Sequence, residues 1–204
     1  MHMTSPSIIS APEGDGISHA LARLVLDIAG QVPPSSEHPA AQAQQAALDL
    51  ARQAAQKAAM TSGSLALAPG PFGLVTLLPD LLAVWKIQSQ LVSDIAAVYG
   101  QSASLTREHM LYCLFKHSAA QAVRDLVVRA GERWLIRQAS GAVIQAIARR
   151  IGQRLSEKML ATGASRLVPF LGAVGVGAYA YYDTRRVAES AMELFAAASA
   201  AQAE

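Results

Sequence analysis

His109, Cys113 and His117 recur at intervals of four, so neighbouring members could share a metal ion from one face of a helix. All three cannot reach one ion, because eight residues of helix rise about 12 Å. Two ligands hold a metal poorly beside the four-coordinate sites of zinc proteins. The stronger reading is a small buried thiol between two half-exposed histidines. Asp80 and Asp94 flank a long apolar helix pattern, and Asp80 falls on its apolar face. A carboxylate inside a cavity would carry a raised pKa and mark a site. Asp80 follows Pro79 directly, however, and an acid there is equally held by the free N–H groups and dipole of a helix start. No second acid stands at a spacing that suggests a catalytic pair. There is no Gly-x-Ser-x-Gly elbow and no nucleotide loop, and GAVGVG has no strand before it. These residues predict a protein without catalytic machinery, metal or cofactor.

A different chemistry is written in the cations. Arg150, Arg154 and Lys158 form a basic stripe beside the Ile/Leu face of one helix, and Arg124, Arg129, Arg133 and Arg137 form a second group. A basic stripe along an apolar face suits a helix lying on an anionic membrane. It also suits a solvated face, since Glu157 and Asp125 supply partial pairing. Residues 1–100 hold four Lys/Arg against seven Asp/Glu, and residues 101–204 hold thirteen against eight. The basic half fits an acidic surface. Nucleic acid is the weaker partner, because aromatic residues are only 5% and no binding motif is present.

The elements that carry these groups are helical. Hydrophobic residues make up 52% of the 204 and charged residues 16%, which suits a large core or apolar surface facing lipid or a partner. Cys113 is the only cysteine, so no internal disulfide forms. The first 20 residues lack a basic n-region and a long apolar h-region, which predicts no secretory signal and a cytoplasmic location. Residues 1–16, with two prolines and two glycines, read as a disordered arm, and 17–200 as a single helical domain. Ser18 caps a first helix ending at Gly30, and Pro33, Pro34 and Pro39 make a linker. An Ala/Gln-rich surface helix over 39–61 follows, with Ala46, Leu50, Ala54 and Ala58 along one stripe. Pro79 opens a helix closed by Gly100, whose Val84, Ile87, Leu91, Ile95 and Val98 face the core and whose Lys86, Gln90 and Ser93 face outward. Ser104 or Thr106 starts the next helix, which breaks near Ser118 or Gly131. Ile144, Ile147, Ile151 and Leu155 line the core face of another, and a C-terminal helix begins near Asp183. The class is an all-α multi-helix bundle with two Gly/Pro-rich apolar hairpin segments.

Those two segments decide the functional class. Residues 64–79 carry no charge but three prolines, and 166–182, RLVPFLGAVGVGAYAYY, carries three glycines and an aromatic cluster. A spanning helix needs about 20 apolar residues, and both stretches are shorter. Buried hairpins are therefore favoured over true insertion. Phe170, Tyr179, Tyr181, Tyr182, Arg185 and Arg186 would suit an interface with headgroups, or equally the end of a core helix.

Two stretches, GPFGLVTLLPDLLAVWKIQSQLVSDIAAVYG and VPFLGAVGVGAYAYYDTRRVAESAMELF, resemble the EcsC family of bacterial, helical, membrane-associated proteins. The resemblance implies peripheral association with the inner membrane and no established catalytic residues. Two functional expectations stand. The first is a non-enzymatic lipid-binding or peripheral membrane protein, contacting anionic lipid through Arg150, Arg154, Lys158, Arg185, Arg186, Phe170 and the three tyrosines. The second is a soluble homo-oligomer or adaptor that buries its apolar segments against protein.

Overall fold

The computed structural model describes residues 13–65, 77–117, 141–162 and 169–203. They form α1 (Glu13–Gly30), α2 (Ala43–Leu65), α3 (Leu77–Val98), a 3-10 turn (Ser102–Ser104), α4 (Arg107–Phe115), α5 (Gly141–Thr162) and α6 (Pro169–Ala203). No strand occurs among the described residues, and the all-α bundle is the observed architecture.

The centre of the bundle is α2, α3 and α6. Val84 of α3 meets Ala180 of α6. Further along, Gln88 bonds Thr184, and beyond the end of α3 the Ser199 hydroxyl donates to the Tyr99 carbonyl. Contacts that rise together in both sequences make α3 and α6 parallel. Ala58 of α2 joins the Val84–Ala180 layer, while the Ala40 N–H just before α2 donates to the Val98 carbonyl. So α2 runs antiparallel to both. The last turn of α2 and the first turns of α3 and α6 share one end of the bundle.

α2 is not the surface helix its composition suggests. It packs most extensively on α6. Ala47, Ala51, Ala55 and Ala58 are essentially fully buried. This stripe lies beside the expected one, whose Ala46, Leu50 and Ala54 are only partly buried. Small side chains let two helix backbones approach closely, which gives dispersion contact that a hydropathy pattern does not register.

The stop of α3 is a Schellman motif. Gly100 N–H donates to the Ala97 carbonyl at 2.9 Å and Gln101 N–H to the Ala96 carbonyl at 2.7 Å. Gly100 has φ of 71°, the left-handed conformation that glycine enters without a Cβ penalty. Thr106, not Ser104, caps α4. It forms a reciprocal box with His109, whose backbone N–H donates to the Thr106 hydroxyl and whose Nδ1 accepts from the Thr106 N–H. Ser93, expected on the outer face of α3, is buried.

The remaining core is built around Phe115, Met110 and Leu111 of α4, Phe195 of α6 and Ile151 of α5, all at most 1% exposed. Trp85 and Phe115 meet edge to face with centroids 5.1 Å apart. α5 packs on α1. Its Ile147 and Ile151 are buried as its periodicity predicts, and Ile144 is partly buried. Several boundaries differ from expectation. α2 runs Ala43–Leu65 instead of 39–61. α1 begins at Glu13, inside the expected arm, whose first twelve residues lie outside the described ones. The C-terminal helix begins at Pro169, so most of the second apolar segment is the first part of a continuous 35-residue helix rather than a hairpin. Three glycines cost about 1 kcal/mol each against Ala. Packing of this helix against α2 and α3 outweighs that.

Candidate functional site

Three expected groups separate cleanly in the structure. His109 is buried and spent on the α4 cap, with its ring edge-on to Phe195 at 6.2 Å. Cys113 is fully buried, and that burial pushes its thiol far above the ordinary range, with the nearby Lys116 ammonium opposing only weakly. His117 turns to α6 instead. The three do not converge, and no group of three or more His, Cys, Asp or Glu that could hold a metal exists among the described residues. The two histidines are also more buried than half-exposed: His109 is 6% exposed and the His117 side chain 12%. Since the thiolate is the reactive form, Cys113 in the folded protein is expected to resist a disulfide-exchange reagent and to label fully only in denaturant. Rapid stoichiometric labelling without denaturant would contradict the burial.

His117 instead joins a polar cluster that no sequence spacing announces. Its Nε2 lies 2.7 Å from Asp183 Oδ1. A carboxylate only accepts, so the proton lies on Nε2. Gln88 of α3 donates from Nε2 to Asp183 Oδ2 at 2.8 Å and to the Thr184 hydroxyl at 3.2 Å. Gln88 and Thr184 are fully buried, and the Asp183 side chain is 14% exposed. The Tyr179 phenol belongs to the same neighbourhood: partial burial first, and the Asp183 carboxylate beside it second, raise its pKa. One carboxylate thus ties α3, α6 and the chain after α4 together. Lys116 reinforces the tie by bonding Glu193 of α6 while lying over the Tyr112 ring.

Around this cluster the end of the bundle is apolar outside as well as in. Tyr179 and Tyr182 are 65% and 68% exposed, and Met60 of α2 is 76% exposed. Tyr181 is partly buried and packs edge to face on Tyr182. Gly175, Ala178, Tyr179 and Tyr182 leave the exposed face of α6 uncharged until Arg186. Arg185, beside it, is partly buried. Lys57 of α2 and Lys86 of α3 are exposed next to Ala58 and Val84, the layer that meets Ala180. Lys57 and Lys86 are therefore level with the tyrosines, and Arg186 lies one turn beyond Tyr182.

The expected basic stripe is elsewhere. Arg150 and Arg154 are exposed on α5, whose main partner is α1, and Arg154 pairs with Glu157 at 3.3 Å. Lys158 and Phe170 lie on α5 and α6 with side chains outside the described residues, as does the side chain of Asp80 on α3. The second basic group, Arg124 to Arg137, is also outside them. Asp94 is structural: it accepts from Ser35 at 2.6 Å and from Gln90 at 2.8 Å, fastening the 31–39 linker to α3.

The model of the EcsC protein family matches residues 21–197, most of the chain. The chain belongs to the EcsC protein family. The match takes in α2 through α5 whole, most of α1 and nearly all of α6, so the Gln88–His117–Asp183 cluster and the aromatic end both lie within the EcsC region. No curated protein matches the chain, and no solved structure does. No helix among the described residues is long and apolar enough to cross a membrane.

Proposed function

We propose that this EcsC-family chain acts by binding rather than catalysis, contacting a lipid surface peripherally through the shared end of α2, α3 and α6. The observation that carries this is the gathering of exposed Met60, Tyr179 and Tyr182 at the end where both uncharged stretches join the helices. An aromatic side chain with a polar tip belongs at the boundary between hydrocarbon and headgroups. Lys57 and Lys86 stand level with the tyrosines and Arg186 one turn inward of Tyr182, where headgroup phosphates would lie. Each cation near an anionic surface contributes about 1 kcal/mol. Arg150 and Arg154 on α5 would add a second, purely electrostatic contact.

The test is co-sedimentation with neutral and anionic vesicles at low and high salt. Wild type is expected to bind anionic vesicles, with salt weakening but not abolishing it, because salt screens the cations and leaves apolar contact intact. Met60→Ser with Tyr182→Ser is expected to weaken binding by roughly a hundredfold, since each apolar side chain withdrawn from water is worth about 1.5 kcal/mol or more. Folding should be unchanged, as both positions are exposed. A well-folded protein that ignores every vesicle but forms dimers through Tyr182 would assign this face to a second copy of the chain.

A further inference from the structure

We propose that Gln88, His117 and Asp183 form a headgroup site for a lipid bearing a hydrogen-bond donor, either an alcohol hydroxyl or an ammonium. This rests on the lipid-contact reading above and goes further, because it names what the site selects.

The inference starts from two buried atoms with nothing to bond. Gln88 spends its amide nitrogen on Asp183 and Thr184, and its Oε1 is buried without a partner. Flipping the amide would set its oxygen against the Asp183 carboxylate, so the assignment is forced by charge. His117 spends Nε2 on Asp183, and its Nδ1 is likewise buried without a partner. In the ring's neutral form, with its proton on Nε2, Nδ1 offers a lone pair. The cluster's unused capacity is therefore two acceptors. A buried polar atom left unpaired destabilises the folded protein, and a donor removes that cost.

The same count excludes other ligands. A phosphodiester brings only acceptors and would meet the Asp183 charge. Two acceptors do not make a metal site, and no cluster of three ligating side chains accompanies them among the described residues. The position fits a headgroup. Gln88 follows Val84, and Thr184 follows Ala180, by one turn, so the cluster lies about 6 Å inward of the layer behind the aromatic tip. Tyr179, exposed on one side and beside Asp183 on the other, joins the two. The Asp183 charge favours an ammonium, and the cost of burying a cation favours a hydroxyl; both supply the donor the cluster lacks.

Two pairs of vesicles separate donors from shape. One pair is phosphatidylcholine with and without phosphatidylethanolamine, which differ at the headgroup by N–H donors. The other is phosphatidylcholine doped with diacylglycerol or with its O-methyl ether. Wild type is expected to bind the donor member of at least one pair roughly five- to tenfold more tightly, the equivalent of one buried hydrogen bond. The pair that discriminates identifies ammonium or hydroxyl. Gln88→Met is expected to keep binding and lose the preference; a preference that persists in this variant reflects bilayer packing and overturns the proposal. Because that substitution also removes a donor to Asp183, a second readout uses wild type alone. The His117 Nδ1 resonance should move with micelles holding the donor lipid and stay still with the methylated one. Equal binding to both members of both pairs, or an unmoved His117 resonance, overturns the donor site and leaves the lipid-contact reading intact. Binding to no vesicle overturns both.

Discussion

Asp183→Ala is expected to lower stability by about 3 kcal/mol, because it strips a buried donor of its partner on each of two neighbouring segments. His117 Nε2 loses its only bond, and Gln88 keeps only the longer one to Thr184. The loss exceeds that of a surface ion pair since both donors are buried and water does not replace the carboxylate. For a chain of this size, 3 kcal/mol lowers the melting temperature by roughly 6–12 °C. Thermal unfolding followed by circular dichroism measures it. Asp183→Asn keeps one acceptor oxygen and should lose less. A change within 0.5 kcal/mol for Asp183→Ala would mean that the cluster does not hold α3, α6 and the chain after α4 together.

The second large effect is at a glycine. Gly152 of α5 sits where the backbone of α1 crosses it: a Cβ there would stand 2.5 Å from the Ser18 carbonyl oxygen and 2.9 Å from the Ala22 nitrogen. Those are backbone atoms and cannot swing aside as a side-chain tip can. Gly152→Ala should therefore destabilise by about 2 kcal/mol, within the range for overpacking, even after the gain of about 1 kcal/mol in helix propensity. Gly175→Ala is the matched control. A Cβ there meets nothing within 4 Å, so only the propensity gain remains and stability should rise or hold. Chemical denaturation of the two variants side by side decides this. Equal effects would mean that α1 and α5 do not pack as closely as the structure has them.

The fold was legible wherever a local rule governs. The α3 core face, the Gly100 stop and the Ile147–Ile151 stripe follow from spacing and from a glycine that takes positive φ. The central place of α2 was not legible, because Ala47, Ala51 and Ala55 bury little area each and register as composition rather than pattern. The continuity of α6 was hidden for the opposite reason: three glycines read as a break, while its packing on α2 and α3 holds it helical. The candidate site was half visible. The tyrosines and Arg186 stood out as an aromatic–basic run, but Gln88, His117 and Asp183 are separated by 95 and 66 residues and share nothing until α3 and α6 lie parallel. His117 was picked out for its spacing to Cys113, and its actual partner is a carboxylate in the YYDTRR run.

The unbroken length of α6 has a mechanical consequence. Its 35 residues extend roughly 52 Å, and about 30 Å of that separates Tyr179 from the far end, where Ser199 bonds the Tyr99 carbonyl and Gln101. A rod turns angle into distance: over that stretch a tilt of about 5° at the tyrosines carries Ser199 by roughly 2–3 Å. Whatever settles against Tyr179 and Tyr182 pushes on the same lever that ends at Ser199, so an event at the tip can be reported at the opposite pole without any residue in between changing its conformation.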